Sequence, residues 1–242
     1  MAIYAIGDLH LPGHQEKPMN VFGDHWDRHF DVIRENWLSM VAPEDVVLIP
    51  GDISWAMHMP EAQPDLDAIG RMPGQKLILM VKGNHDYWWN SISKVRALLP
   101  ENMYAIQNDA LALDGVVYCG TRGWNIPGEG QPADPQDVKI FQRELLRLEM
   151  SLQQAEKLAC GSLPVVVMMH YPPLYKDLLS TPFTEILERH GVRTVVFGHL
   201  HGAGIKVGFE GLLRGVEYHL VSCDALHFSL RRIEKVFPQE LK

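Results

Sequence analysis

Apolar and polar positions along this chain of 242 residues separate into short unbroken apolar runs and longer stretches of helical spacing. Five runs carry the pattern, at residues 3–6, 46–49, 77–81, 165–169 and 195–197. They are rich in β-branched side chains and do not alternate, which predicts strands buried on both faces, as in a parallel sheet. A sixth run at 116–119 reads the same way. Between them, helices are predicted over 25–41, 61–72, 91–99, 135–159 and 176–190. The helix at 135–159 has the clearest signals: Asp134 as N-cap, Pro135 in the first turn and Gly161 beyond the end. After residue 201 the character changes. Residues 205–209, 216–222 and 228–236 alternate more and are joined by glycine-bearing turns, which predicts antiparallel strands of a second sheet layer. Strands alternating with helices predict an α/β fold. No repeat, low-complexity tract or linker divides residues 1–242, so the chain reads as a single domain.

The residues at the carboxyl ends of the five runs point to chemistry. The runs open onto Gly7-Asp8-Leu9-His10, Gly51-Asp52, Gly83-Asn84-His85-Asp86, His170, and Gly198-His199-Leu200-His201. In open α/β sheets ligands bind beyond the carboxyl ends of the strands. Asp8, His10, Asp52, Asn84, His170, His199 and His201 are therefore expected to converge at one edge of one sheet, a supply of ligands suited to two divalent ions. Asp8 and His10, two apart in extended backbone, would face the same way. Asp52 follows a glycine that lets the chain turn sharply, and its two oxygens make it the candidate shared ligand. The set is nitrogen and oxygen without thiolate, which suits Mn, Fe, Zn or Ni and disfavours a structural thiolate zinc site.

Composition adds limits. Apolar residues make up 46% and charged residues 21%, an ordinary globular balance, and the formal net charge is −8. That charge argues against a broad electrostatic grip on long nucleic acid. It leaves room for a small anionic substrate, because bound divalent ions would outweigh the Asp8 and Asp52 carboxylates locally. No apolar stretch approaches the roughly 20 residues of a membrane span. A strand from residue 3 leaves no space for a secretory signal, and Cys119, Cys160 and Cys223 read as buried thiols of a reducing compartment; the expected location is the cytoplasm.

The five blocks, in this order, resemble the calcineurin-like metallophosphoesterase family, whose pattern is D-x-H, G-D, G-N-H-D/E, a lone H, and G-H-x-H. The resemblance runs from residue 7 to residue 201. It implies a four-layer α/β/β/α sandwich of two mixed sheets flanked by helices, with a dinuclear metal site. It also implies that one ion takes Asp8, His10, Asp52 and His201, and the other Asp52, Asn84, His170 and His199. A bridging hydroxide then attacks phosphorus in line, the ions being ~3.5–4 Å apart. By the same resemblance His85 is not a ligand but a general acid, or positive donor, to the leaving oxygen, and Asp86 orients it and keeps it protonated. Two branches fit poorly. Protein serine/threonine phosphatases continue the second block with Asp-Arg, where this chain has Ile53-Ser54-Trp55-Ala56. Lipid A precursor pyrophosphatases carry Arg at the position of His85.

Three functional readings are compatible with these residues: a metal-dependent phosphohydrolase of a monoester or small diester, a phosphodiesterase or nuclease acting on cyclic nucleotides or dinucleotides, and a non-catalytic scaffold. The last is expected to lose a ligand or His85, and this chain keeps them all. Outside the blocks, His14, His25, His29, His58, His190, His219 and His227 read as surface or hydrogen-bonded histidines, with His58 closest to the ligand set in sequence. Arg122 and Arg143 are candidates for phosphate contact. Tyr87-Trp88-Trp89 reads either as a stacking platform or as core. The loop at 124–133 and the helix behind it are expected to shape the specificity pocket.

Overall fold

The computed structural model describes all residues except 14–16, 18, 73–76, 129–133, 235 and 237–242. His14 and the second half of the 124–133 loop lie outside the described residues. The six buried runs are strands: β1 (Ile3–Ala5), β2 (Val46–Ile49), β3 (Leu77–Met80), β6 (Val116–Thr121), β7 (Val165–Met169) and β8 (Thr194–Phe197). Short strands accompany them: β4 (Met103–Ala105), β5 (Ala110–Leu113), β9 (Gly211–Leu213), β10 (Val216–Leu220) and β11 (Arg231–Arg232). They do not share one sheet. A five-stranded sheet has the order β11-β1-β2-β3-β4 and a six-stranded sheet the order β5-β6-β7-β8-β10-β9. Each sheet is parallel at its centre. Antiparallel partners close three of the edges: β11 on β1, β5 on β6 and β9 on β10.

Strand alternation explains why the runs are apolar on both faces. Ile3, Ala5, Val46, Leu48, Leu79 and Val81 of the first sheet pack with Val116, Tyr118, Val166, Met168 and Val196 of the second, forming the central layer. The intervening residues Tyr4, Val47, Ile49, Ile78 and Met80 face the helices α1 (His29–Met40), α2 (Met59–Gly70) and α3 (Ile92–Leu98) through Ile33, Trp37, Leu66, Ile69 and Val95. On the far side Val117, Val167, Val195 and Phe197 meet Phe141, Leu148 and Leu152 of α4 (Pro135–Ala159) and Phe183 and Leu187 of α5 (Pro182–Arg189). The outcome is the four-layer α/β/β/α sandwich. Each fully buried aliphatic or aromatic side chain in these layers contributes about 1.5–3 kcal/mol.

Several predicted elements are shifted, each for a local reason. The helix expected from residue 25 begins at His29. Arg28 takes a left-handed φ of 52° and separates it from a 3-10 turn at Asp24–Trp26. Likewise α5 starts at Pro182 rather than near 176, because Thr181 caps it through Thr184 N and Tyr175 is held in bridges with Leu178 and Gly208. Residues 205–209 are not a strand; Gly202–Val207 forms a 3-10 helix. In place of three antiparallel strands of one layer, β10 joins β8 in parallel and β11 returns to the first sheet beside β1. Cys119 and Cys223 are buried as expected, but Cys160 is exposed at the left-handed C-cap of α4. No helix among the described residues is long and apolar enough to cross a membrane.

Candidate metal centre

Loops at the carboxyl ends of five strands, three from one sheet and two from the other, meet at a common point. The loops after β1 and β2 are stitched together by Asp8 N to Gly51 O at 3.0 Å, His10 N to Asp52 O at 3.0 Å and Leu11 N to Ile53 O at 2.9 Å. Asp8 and His10 are not extended, as two-residue alternation supposed. Their φ values are 60° and 45°, and Asp52 and His199 are left-handed too, at 51° and 73°. Each such residue costs about 1–3 kcal/mol and persists only where the surroundings over-determine it. Here the side chains are what the strain positions. Glycines make room for them: a Cβ on Gly83 would land on the Asp52 carboxylate, and one on Gly198 on that of Asp8.

All seven candidate ligands gather there. Ligand atoms of Asp8, His10 and His201 lie within 4.8 Å of one another, as do those of Asp8, Asp52 and His170. His10 Nε2 stands 3.3 Å from His201 Nε2, and His201 Nε2 is 3.5 Å from Asp8 Oδ1. On the other side His170 Nε2 is 2.7 Å from Asn84 Oδ1, and His199 Nδ1 is 2.9 Å from that same oxygen and 3.2 Å from His170 Nε2. Asp52 Oδ2 lies between the two groups, 3.8 Å from His10 Nε2 and 3.6 Å from His170 Nε2.

This donor set fits cations better than it fits protons. His170 Nδ1 reaches the Pro50 carbonyl at 3.0 Å and must donate to it, so Nε2 turns a lone pair toward Asn84 and His199. His201 Nδ1 donates to Asp224 Oδ1 at 2.8 Å, so Nε2 is the nitrogen that faces His10 and Asp8. The His170 Nε2 lone pair thus faces the Asn84 amide oxygen at 2.7 Å, an arrangement that positive charge resolves. Titration separates the imidazoles. Burial, aided by the neighbouring imidazole charges, drives His170 down to about 3 and His199 to about 4, leaving both as neutral ligands. Burial works against charge on His201 as well, but Asp8 and Asp224 override it and raise that ring to about 10. Burial together with the Asp86 and Asp8 charges lifts Asp52 well above the carboxylate range. Burial pushes Asp8 the same way, yet His201, His170 and His10 outweigh it and hold that carboxyl well below its ordinary value.

Asp224 escaped the sequence reading. It lies just beyond the end of β10, much as the other acidic residues lie beyond their strands, and that syntax could have found it. Its second oxygen accepts from Gly202 N at 2.9 Å, so it fixes both the tautomer and the placement of His201. Such outer partners are typically worth 10–100-fold in metal affinity. Asp224→Ala is expected to weaken Mn²⁺ binding by about that factor while leaving secondary structure intact; a titration giving the wild-type affinity would remove Asp224 from this role.

His85 and Asp86 separate. The His85 backbone N–H donates to Asp52 Oδ1 at 2.8 Å, and its ring lies 4.3 Å from that of Trp55. Its Nδ1 has no hydrogen-bond partner among the described residues. Asp86 does not orient His85, contrary to expectation, nor does it cap α3, whose N-cap is Ser91. Its fully buried carboxylate accepts from Ile53 N, Ser54 N, Gly83 N and Trp88 Nε1 at 2.8–3.1 Å, tying the loop after β3 to the loop after β2. Burial, reinforced by the charge of Lys17, lowers the His85 pKa, so the free protein does not hold this ring protonated through Asp86.

The remaining candidates sort by burial. Trp88 and Trp89 are core residues, and only Tyr87 stays exposed, with its ring 6.2 Å from that of His85. The aromatic contacts at the centre come instead from Trp55, stacked on His10 at 4.9 Å, and Tyr171, 4.1 Å from His199. Trp124 opens the 124–133 loop and packs against Tyr171 at 5.2 Å. His29 is bound to the Leu9 and Trp26 carbonyls, and His190 to Glu149 and Glu156. His58 is exposed at the start of α2, and His25 and His227 are also exposed, while His219 is partly buried in β10.

Comparison with known proteins adds to this geometry. Residues 1–203 match the calcineurin-like phosphoesterase family. No curated protein sequence matches the chain. Among solved structures, a protein of unknown function from Aquifex aeolicus is 15% identical, with a TM-score of 0.50 over 96% of this chain and 95% of that one. The NAD nucleotidase of Haemophilus influenzae is 14% identical, with a TM-score of 0.44 over 90% of this chain and 46% of that one. A 5'-nucleotidase precursor from Thermus thermophilus is 16% identical, with a TM-score of 0.38 over 83% of this chain and 42% of that one. This chain spans less than half the length of either nucleotidase. With the family match covering most of the chain and the strand-end ligands gathered at one point, the protein belongs to the calcineurin-like phosphoesterase family.

Proposed function

We propose that this chain, acting as a single domain, is a dinuclear metal-dependent phosphohydrolase that cleaves a small phosphoester. One cation would be held by Asp8, His10, Asp52 and His201, and the other by Asp52, Asn84, His170 and His199. Mn, Fe, Zn and Ni all suit these donors. The observation that carries the reading is the convergence of the His10, His170, His199 and His201 rings on the carboxylates of Asp8 and Asp52 and the amide oxygen of Asn84. When bound, such a pair of cations supplies Lewis acidity toward phosphoryl oxygens and acidifies water.

The protein's own groups supply the rest. Asp52 faces both halves of the ligand set, which suits it to the shared position. Asp224 holds His201, and the Pro50 carbonyl holds His170, so the ligands are oriented before any substrate arrives. The His85 side chain is not needed to complete the ligand set and projects beside Trp55 at the rim. An incoming phosphate dianion raises the pKa of a nearby imidazole, and that gives His85 the proton a leaving oxygen requires. The same donor set fits a cyclic nucleotide or dinucleotide phosphodiester, so the two esters must be compared directly. With Mn²⁺ added, the purified protein is expected to hydrolyse an aryl phosphate monoester, to lose that activity in chelator, and to act far more slowly on the bis-aryl diester. A diester rate equal to or above the monoester rate would move the assignment to phosphodiesterase. Two tightly bound ions with no turnover of any phosphoester would leave a scaffold.

A further inference from the structure

Beside the metal centre lies a second feature that the ligand set does not use. A cavity of ≈ 220 Å³ is lined by Lys82, Arg122, Arg143 and Arg147, with Gln107 and Asn108 at its edge. Lys82 stands two residues before Asn84, just past the end of β3. The carbonyl of Arg122 accepts from His170 N at 3.1 Å and Tyr171 N at 2.8 Å. Two residues that line the cavity, Lys82 and Arg122, thus adjoin the chain segments that carry Asn84 and His170.

Its charges do not balance. The carboxylate that lines it is Glu144, which is fully buried and already accepts from Thr121 Oγ1 at 2.7 Å, Arg147 Nη1 at 2.7 Å and Arg122 Nη2 at 3.4 Å. That leaves more cationic donors than acceptors. Arg122 Nε is buried with no hydrogen-bond partner among the described residues, although its guanidinium lies 4.5 Å from the centre of the Trp124 ring. Among the described residues Lys82 Nζ donates to Trp89 O at 3.1 Å, and an ammonium carries three hydrogens. Arg143 lines the same space from α4. In a protein with a net charge of −8, four cations around one small space stand out against the background. Leaving buried donors unmet costs free energy, and planar guanidinium forks meet phosphate oxygens in pairs.

From this geometry we infer that the cavity is a second anion subsite, which takes a further phosphate of the substrate while the scissile phosphate sits at the metal centre. The inference rests on the hydrolase reading and narrows it: the preferred substrate is a small molecule with two phosphate groups. Trp89 and Ile106 contribute apolar wall to the cavity, but its four cationic side chains favour an anionic group over an acyl chain.

The test uses the Mn²⁺-loaded full chain and ligands that cannot be hydrolysed. Calorimetry compares simple alkylphosphonates with a series of α,ω-alkylbisphosphonates of increasing chain length. One chain length is expected to bind at least about tenfold more tightly than its monophosphonate counterpart. Arg143→Gln and Lys82→Gln are each expected to remove most of that advantage. Arg143 is exposed and, among the described residues, Lys82 bonds only the Trp89 carbonyl, so neither change threatens the fold. If no bisphosphonate outbinds its counterpart, or if the advantage survives both substitutions, the subsite is refuted. Binding is read without turnover, so a protein that shows the advantage yet hydrolyses no ester would keep the subsite and lose the hydrolase.

Discussion

His85→Ala is expected to lower kcat for an alkyl phosphate monoester by about 10²–10⁴-fold, with two metal ions still bound per chain. That is the range for losing a positioned general acid. The argument is geometric. His85 is anchored by its backbone to Asp52 Oδ1, while its ring packs against Trp55 and lies 5.7 Å from the ring of His10. Its Nδ1 has no partner to lose among the described residues, and its removal leaves every candidate ligand in place. Burial and Lys17 hold its pKa below the ordinary histidine value, so the proton must be stabilised by the substrate's own charge. The leaving group therefore separates the two roles considered for this residue. A general acid matters greatly for an alkoxide and little for a nitrophenolate, which departs without help. If His85→Ala slows aryl and alkyl esters equally, the ring acts as a charge donor to the phosphoryl group. If neither rate changes, His85 has no part in the reaction.

Asp86→Ala is expected to do more damage to the molecule and to act by a different route. The carboxylate is fully buried and is the common acceptor for three backbone amides and one indole N–H. Truncation strands those donors where water does not reach them, at about 1–3 kcal/mol for each unmet group. Partial relaxation brings the total to on the order of 4 kcal/mol, roughly a 10 °C fall in Tm for a chain of this size. The loops it joins carry Asp52 and Asn84, so Mn²⁺ affinity should fall along with stability. Asp86→Asn retains one acceptor oxygen and should recover part of both. Thermal melting and metal titration on the same preparations check this. A variant with wild-type Tm and metal affinity, but with a changed pH dependence of turnover, would restore Asp86 to the role of orienting His85.

Asp86 marks a limit of sequence pattern. An acidic residue one position after an imidazole suggests a charge partner, yet neighbours in sequence need not face each other. Only the tertiary course of the loops after β2 and β3 reveals that Asp86 points away from His85 and under Ile53 and Ser54. Asp224 is the opposite case: it lies 23 positions beyond His201, and no local spacing links them until β10 is laid beside β8. Trp55 and Tyr171 became part of the centre in the same way, through packing on His10 and His199.

Local chemistry decided a great deal by itself. Runs of β-branched residues had to be strands with two buried faces, and the caps of Asp134 and Pro135 set where α4 begins. Glycines before the acidic and imidazole groups marked the turns, and the nitrogen and oxygen donors pointed to a site for cations rather than a structural thiolate centre. What the chain could not state in one dimension was the partition of its strands into two sheets, the left-handed backbone at Asp8 and His10, and the basic cavity formed by Lys82, Arg122, Arg143 and Arg147. Those depend on contacts between segments far apart in sequence. Burial on both faces tells a strand to be covered, but it carries no information about which neighbour does the covering.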